Sequence, residues 1–282
     1  KFECGHLAER QAEDLRFFAK NGYVILRNAI PADQLEAARS DLDKAYNGGF
    51  EGLKFECHSV NPKGLTKWTP NINLHPAKAV DIHHFSKPIR RLMFSEAISE
   101  FLGLIFNART FASQSLGFLR GSSQEGHQDS AFVPFTRPRD FAATWIALED
   151  VTAGAGELFY YPGSHRFPDF LYRGAYKDPG EASRLQGPAK EPGEINRHVA
   201  SLRHLAEQHG LSKQTFIAKK GDVLVWHADL VHGGNPVSRQ ITRKSVVTHY
   251  CPKYLAPTFA ERLATKLWHH EGHCFTTSHY TD

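Results

Sequence analysis

Two histidines held far apart in the chain constrain it more than any other feature. His127-Gln128-Asp129 sets an imidazole and a carboxylate two residues apart, and His232 follows 105 positions later. On an extended strand, residues i and i+2 point to the same face, so His127 and Asp129 can reach one ion together. A His-x-Asp pair with a distant histidine is the ligand set that holds non-heme Fe(II) on three sides and leaves its other positions open. The fold must then carry two remote segments to one place. A bare His-x-Asp also fits a hydrogen-bonded surface pair, so the surroundings of His232 carry weight.

Those surroundings are ordered. Gly221-Asp222 opens an apolar run, Val223 to Trp226, and Gly233-Gly234-Asn235-Pro236 makes a turn after His232. Arg243 follows 11 residues after His232 and opens a second strand-like run to Tyr250. A strand pair joined by that turn returns Arg243 toward the metal, where a guanidinium can clamp a carboxylate in bidentate fashion. Open metal positions beside a carboxylate anchor suit a 2-oxo acid cosubstrate. His227 competes with His232, and Arg239, in the turn, competes with Arg243; the turn and arginine that follow favour His232, and the strand context favours Arg243.

The order of elements sets the fold class. Helical spacing covers residues 6–20, 87–106, 195–210 and 256–269, and Pro31 opens another helix to Tyr46. Tyr23 to Arg27 reads as a strand. Residues 47–85 are rich in Gly, Pro, Asn and His and read as an irregular insertion, and 165–194 as a long loop. Strands are expected at 111–119, 127–133, 141–149, 156–161, 215–218, 222–227 and 243–250. Helices around a run of short antiparallel strands give a mainly β fold with flanking helices and a double-stranded β-helix core, a cupin-like jelly roll. The expectation is one domain over 1–282, with helical support in 1–109, the jelly roll in 110–250, and a helix and tail in 251–282.

Several ordered blocks resemble the phytanoyl-CoA dioxygenase family of Fe(II)/2-oxoglutarate oxygenases. They are Phe17 to Arg27, then Gln114 to Arg166 with His127-Gln128-Asp129, Thr144 to Asp150 and Pro162-Gly163-Ser164-His165-Arg166, and last Gly221 to Arg243. The resemblance implies His127, Asp129 and His232 as metal ligands and Arg243 as the 2-oxoglutarate anchor. It also places Trp145 and Gln114 in the cosubstrate pocket. It implies Fe(II), 2-oxoglutarate and O2 as cofactors, and hydroxylation of an unactivated C–H bond in a small metabolite or natural-product intermediate, with succinate released. One position departs: many relatives carry Ser or Thr two residues after the second histidine, where this chain has Gly234. Phe132, Phe135 and Arg137 follow the motif and are candidates for the pocket mouth. A strand tryptophan such as Trp145 also serves as plain core packing, and the pairs His83-His84 and His269-His270 diverge as neighbours must, so they read as solvated or satisfied.

Charge excludes other classes. Lys plus Arg number 34 against 30 Asp plus Glu, a slight excess spread along the chain, so nucleic acid is not an expected partner. No apolar run approaches the roughly 18 residues that span a membrane. The four cysteines are widely separated and form no Cys-x-x-Cys pair, which leaves neither a zinc ribbon nor a disulfide framework and suits a reducing cytoplasm. Two other readings keep the same residues: a cupin-like metalloenzyme without a 2-oxo acid, such as a zinc hydrolase, and a non-catalytic small-molecule-binding module.

Overall fold

The computed structural model describes residues 8–57, 64–133, 140–177, 193–255 and 266–280. Helix α1 (Glu9–Asn21) ends where Gly22 takes φ 79° and its N–H reaches Phe18 O, the left-handed stop that glycine allows. Strand β1 (Tyr23–Leu26) follows, then α2 (Ala32–Tyr46). The described residues of 47–85 depart from the irregular insertion that the composition suggests. They hold β2 (Lys54–Cys57), β3 (Gly64–Lys67) and β4 (Ala77–Val80). In β2 the buried Phe55 and Cys57 alternate with half-buried Lys54 and Glu56, a period-2 signal four residues long and hidden among turn formers. The helices α3 (Lys87–Met93) and α4 (Glu96–Phe106) match the expected pair.

The remaining elements are β5 (Thr110–Phe118), β6 (Ala142–Ala147), β7 (Leu158–Tyr160), α5 (Glu194–Gln208), β8 (Gln214–Phe216), β9 (Val223–His227), β10 (His232–Gly234), β11 (Ser245–Pro252), β12 (Trp268–His270) and β13 (His273–Phe275). Of the helix expected over 256–269, residues 256–265 lie outside the described residues, and Trp268–His270 is a strand. The large sheet runs β1-β9-β6-β11-β5-β4-β2-β3, with β13 added parallel to the start of β5. A second sheet, β10-β7-β8, faces it. The jelly roll therefore takes strands from 1–109 and 251–282 as well as from 110–250, a wider core than the sequence spacing suggests.

Alternation divides the large sheet's two faces. Val223, Val225, Ile146 and Val246 pack outward with Leu35, Leu42, Ile98 and Leu102 of the helices. Leu224, Trp226, Trp145 and Val247 point inward with Leu158, Tyr160 and Phe216 of the small sheet. A central strand covered on both faces has no polar face, and β6 (AATWIA) is buried at every residue.

Residues 127–133 also depart from expectation. His127 makes a single β-bridge to His232, with N to O distances of 2.9 and 3.0 Å in the two directions. The chain then turns into one 3-10 turn at Asp129–Ala131. The side chains of the turn are tied to the β9–β10 connection: Gln128 Nε2 donates to Asp229 O at 2.7 Å, and the Ser130 hydroxyl donates to the Asp229 carboxylate. No helix among the described residues is long and apolar enough to cross a membrane.

Candidate metal centre and cosubstrate pocket

The bridge sets the backbones of His127 and His232 side by side, and Gln128 is extended (φ −108°, ψ 129°), so Asp129 returns to the same side as His127. One donor atom from each of His127, Asp129 and His232 lies within 4.8 Å of the other two, and all three residues are buried. Asp129 Oδ1 stands 3.5 Å from His127 Nε2 and 3.6 Å from His232 Nε2. The other nitrogen of each ring meets a carbonyl: His127 Nδ1 lies 2.8 Å from Glu125 O and His232 Nδ1 lies 3.0 Å from Leu230 O. Donation there fixes the tautomer whose Nε2 lone pair points inward, the arrangement a metal ligand needs.

Burial lowers the pKa of His232 to about 4, although the neighbouring Asp129 charge pulls the other way, so the ring is neutral at physiological pH. For Asp129, burial favours the protonated form. The electrostatic pull of the surrounding His232, His127 and His249 rings outweighs it, and the carboxyl is held well below its usual range. A neutral imidazole beside an ionised carboxylate is the protonation state that binds a divalent cation.

Two neighbours of Asp129 escaped the reading of the sequence. Trp226 Nε1 donates to Asp129 Oδ2 at 2.9 Å, and His249 Nε2 stands 3.4 Å from the same oxygen. His249 carried a signal: Ser245, Val247 and His249 alternate on one face of β11, opposite Phe118, Leu116 and Gln114 of β5. His227 lies elsewhere, its ring 5.5 Å from His165 and its Nδ1 accepting from Asp229 N.

The centre opens into a cavity of about 620 Å³, whose walls include Gln114, Trp145 and Arg243. Arg243 is buried. The guanidinium's one hydrogen bond to the described residues runs from Nη1 to Gly156 O at 2.5 Å, and Nε has no partner. The guanidinium lies 5.8 Å from the Phe118 ring centroid and 5.6 Å from that of Trp145. Burial lowers its pKa to about 10, against the pull of Glu157, which leaves it charged at neutral pH. A buried guanidinium with most of its five donors unused calls for an anion. Arg239 is on the exposed turn, with Nη1 at 3.5 Å from Ala153 O.

Gln114 and Arg243 lie at opposite ends of the cavity. Gln114 pairs with His249 at the metal end, whereas Arg243 N–H reaches Leu119 O beyond the far end of β5. At Gly234, a Cβ would meet Ser122 Oγ at 3.1 Å and Ser123 N at 3.2 Å, so the Ser122 hydroxyl fills the space a side chain there would enter. Phe132 is exposed on the cavity rim beside the metal site, its ring 5.5 Å from that of His127. Phe135 and Arg137 lie outside the described residues. His83 is spoken for by Ser115 Oγ at 2.6 Å and Thr276 O at 2.9 Å. His84 stacks on Tyr280, and His269 Nδ1 lies 3.3 Å from Cys274 Sγ.

A jelly roll that gathers two imidazoles and a carboxylate at one mouth, with a buried arginine deeper in the same cavity, has the architecture of the Fe(II)/2-oxoglutarate-dependent oxygenases. The chain belongs to the phytanoyl-CoA dioxygenase (PhyH) family, whose sequence model matches residues 18–245. It is similar to phytanoyl-CoA dioxygenase 1 of Oryza sativa subsp. japonica, at 26% identity over 268 residues, covering 83% of this chain and 88% of that one. Among solved structures it resembles SnoK, a non-heme alpha ketoglutarate dependent carbocyclase from nogalamycin biosynthesis (TM-score 0.66, 17% identity, 92% of this chain and 90% of that one). It also resembles EctD from S. alaskensis with 2-oxoglutarate and 5-hydroxyectoine (TM-score 0.58, 19% identity, 89% and 78%). The family and these neighbours are Fe/2-oxoglutarate-dependent oxygenases, and the structural likeness fixes the shared fold.

Proposed function

We propose that this protein is an Fe(II)/2-oxoglutarate-dependent dioxygenase that hydroxylates an unactivated C–H bond of a small molecule. The observation that carries the reading is the pairing, in one cavity, of the His127–Asp129–His232 donor set with the underbonded guanidinium of Arg243. His127, Asp129 and His232 hold the iron, with Asp129 contributing Oδ1 while Trp226 restrains Oδ2. Arg243 receives the far carboxylate of 2-oxoglutarate, and Trp145 walls the pocket between that end and the metal. Gln114 walls the same pocket at the iron end. Bound iron supplies the oxidation, in which 2-oxoglutarate and O2 give succinate and CO2 and the second oxygen atom enters the substrate. Asp129 is a ligand here and not a proton carrier. Apolar walls from Val247 and Leu158 keep water from the reacting end.

An anaerobic titration of metal-free protein with Fe(II), with and without 2-oxoglutarate, tests the reading by visible absorbance. A charge-transfer band should appear only when both are present. Arg243→Ala should raise the 2-oxoglutarate concentration for half-formation by at least about tenfold, as expected for losing a charged hydrogen-bond pair, and leave Fe(II) uptake intact. No band, with tight zinc binding instead, would favour a metallohydrolase on the same scaffold. Product analysis then separates hydroxylation from ring closure, the outcome that SnoK's description as a carbocyclase raises.

A further inference from the structure

Lys78 is the second cationic side chain on the cavity wall besides Arg243, and the proposed chemistry gives it no task. It stands on β4 directly across from Phe118 of β5, with its side chain 17% exposed. Its ammonium has one ion contact, 3.5 Å to Glu56 Oε2, and no hydrogen bond to any described residue. Glu56 is more exposed, at 33%, and makes a further interaction of its own. Three N–H donors on the cavity wall therefore lack a short acceptor among the described residues, and an anion entering the cavity can complete them.

The strand register says what kind of ligand reaches both Lys78 and the metal. His249, against Asp129, marks the metal row and pairs with Gln114; Val247 pairs with Leu116 in the next row; Phe118 and Lys78 form the row beyond. Four residues of strand separate the first row from the last, about 13 Å. The wall between is Leu116, Phe118 and Val247, all apolar. Phe118 divides the two cations: Arg243 lies over its ring from the β11 side, and Lys78 flanks it from β4. The nearby Arg120 is already engaged by Asn73 O and Ile241 O.

We propose that Lys78 binds an anionic group at the end of the substrate remote from the oxidised carbon, so that the enzyme acts on an elongated free carboxylic acid with an apolar body. The inference rests on the Fe(II)/2-oxoglutarate reading of the same cavity. The carboxylate displaces the long contact to Glu56 and takes short, charge-assisted hydrogen bonds from the ammonium. The apolar body lies along Leu116 and Phe118 and brings its far carbon to the metal row. Esterification or thioesterification removes the charge and should remove recognition.

The test uses the anaerobic holoenzyme with Fe(II) and 2-oxoglutarate, and reads the change in its charge-transfer band as a probe displaces water near the iron. The probes are decanoic acid and 3-phenylpropionic acid, their methyl esters and their coenzyme A thioesters. The free acids should perturb the band, and the esters and thioesters should not. Lys78→Met should raise the half-saturating acid concentration tenfold or more, Lys78→Arg should restore most of it, and Lys78→Glu should shift the response to decylamine and 3-phenylpropylamine. The assignment is overturned if no acid acts, if esters or thioesters act as well as acids, or if Lys78→Met binds acids unchanged. It is also overturned if Lys78→Met loses 2-oxoglutarate affinity, because Lys78 then serves the cosubstrate. Absence of the band in the unmodified protein would instead remove the oxygenase reading itself.

Discussion

The two oxygens of Asp129 have different surroundings. Oδ1 faces both imidazoles, and Oδ2 is restrained by the Trp226 indole N–H at 2.9 Å, with His249 Nε2 at 3.4 Å. A carboxylate fixed through one oxygen offers the other in one direction, which keeps the remaining faces of a bound ion free. Trp226→Phe keeps an aromatic ring in the core and deletes the donor. It should weaken Fe(II) binding about 10- to 100-fold, the usual scale for losing an outer partner of a ligand, while circular dichroism shows a folded protein. Unchanged affinity in an anaerobic metal titration would mean that the indole only fills space. His249 shows why the residue scale was partly hidden: its partner Asp129 is 120 positions away, and no spacing rule connects them.

Among the elements, the segment leaving β5 matters most, because it carries Ser122, Gln124 and His127 past the rim of the small sheet. Gly121 is the point of closest approach. A Cβ there would stand 2.4 Å from Ala155 O and 2.8 Å from Gly156 Cα, both backbone atoms that cannot swing aside. Gly156 O is also the carbonyl that holds Arg243. Gly121→Ala should therefore cost about 1–3 kcal/mol, the range for overpacking, visible as a lower thermal midpoint, and should weaken 2-oxoglutarate binding by displacing Gly156. A midpoint equal to that of the unmodified protein would show that the rim yields. The His127 segment teaches a related lesson. The i, i+2 rule held because Gln128 is extended; the turn that follows, with Phe132 and Val133 N–H both on Asp129 O at 2.8 Å, ended the strand that the sequence suggests.

For the molecule as a whole, buried histidines set the response to acid. His232 and His198 both have pKa values lowered to about 4, each mainly by burial, against about 6.5 in an unfolded chain. Between those values the unfolded chain binds more protons than the folded one, so stability rises with pH across that window. Their contribution is complete above about 6.5 and is lost as pH falls toward 4. The lowered Asp129 acts in a more acidic range, below its ordinary value of 3.8. In chelator, the thermal midpoint of the metal-free protein should fall measurably between pH 7 and pH 5. A flat profile over that range would contradict the burial of these rings.

The sequence by itself determined the class of fold, the positions of α1, β5, β6, β9 and β11, and the residues His127, Asp129, His232 and Arg243 as candidates. Each carries a local signal: apolar periodicity, a glycine stop, or a short motif followed by a turn and a cation. Only the tertiary structure decided that β1–β4 and β13 extend the same sheet, that Gln114 sits at the metal end away from Arg243, and that Trp226, His249 and Lys78 face the cavity. The reason is physical. Periodicity tells which side of a strand is apolar, but the register between strands far apart in sequence is fixed by the packing of whole faces, and that register chooses which polar side chains meet.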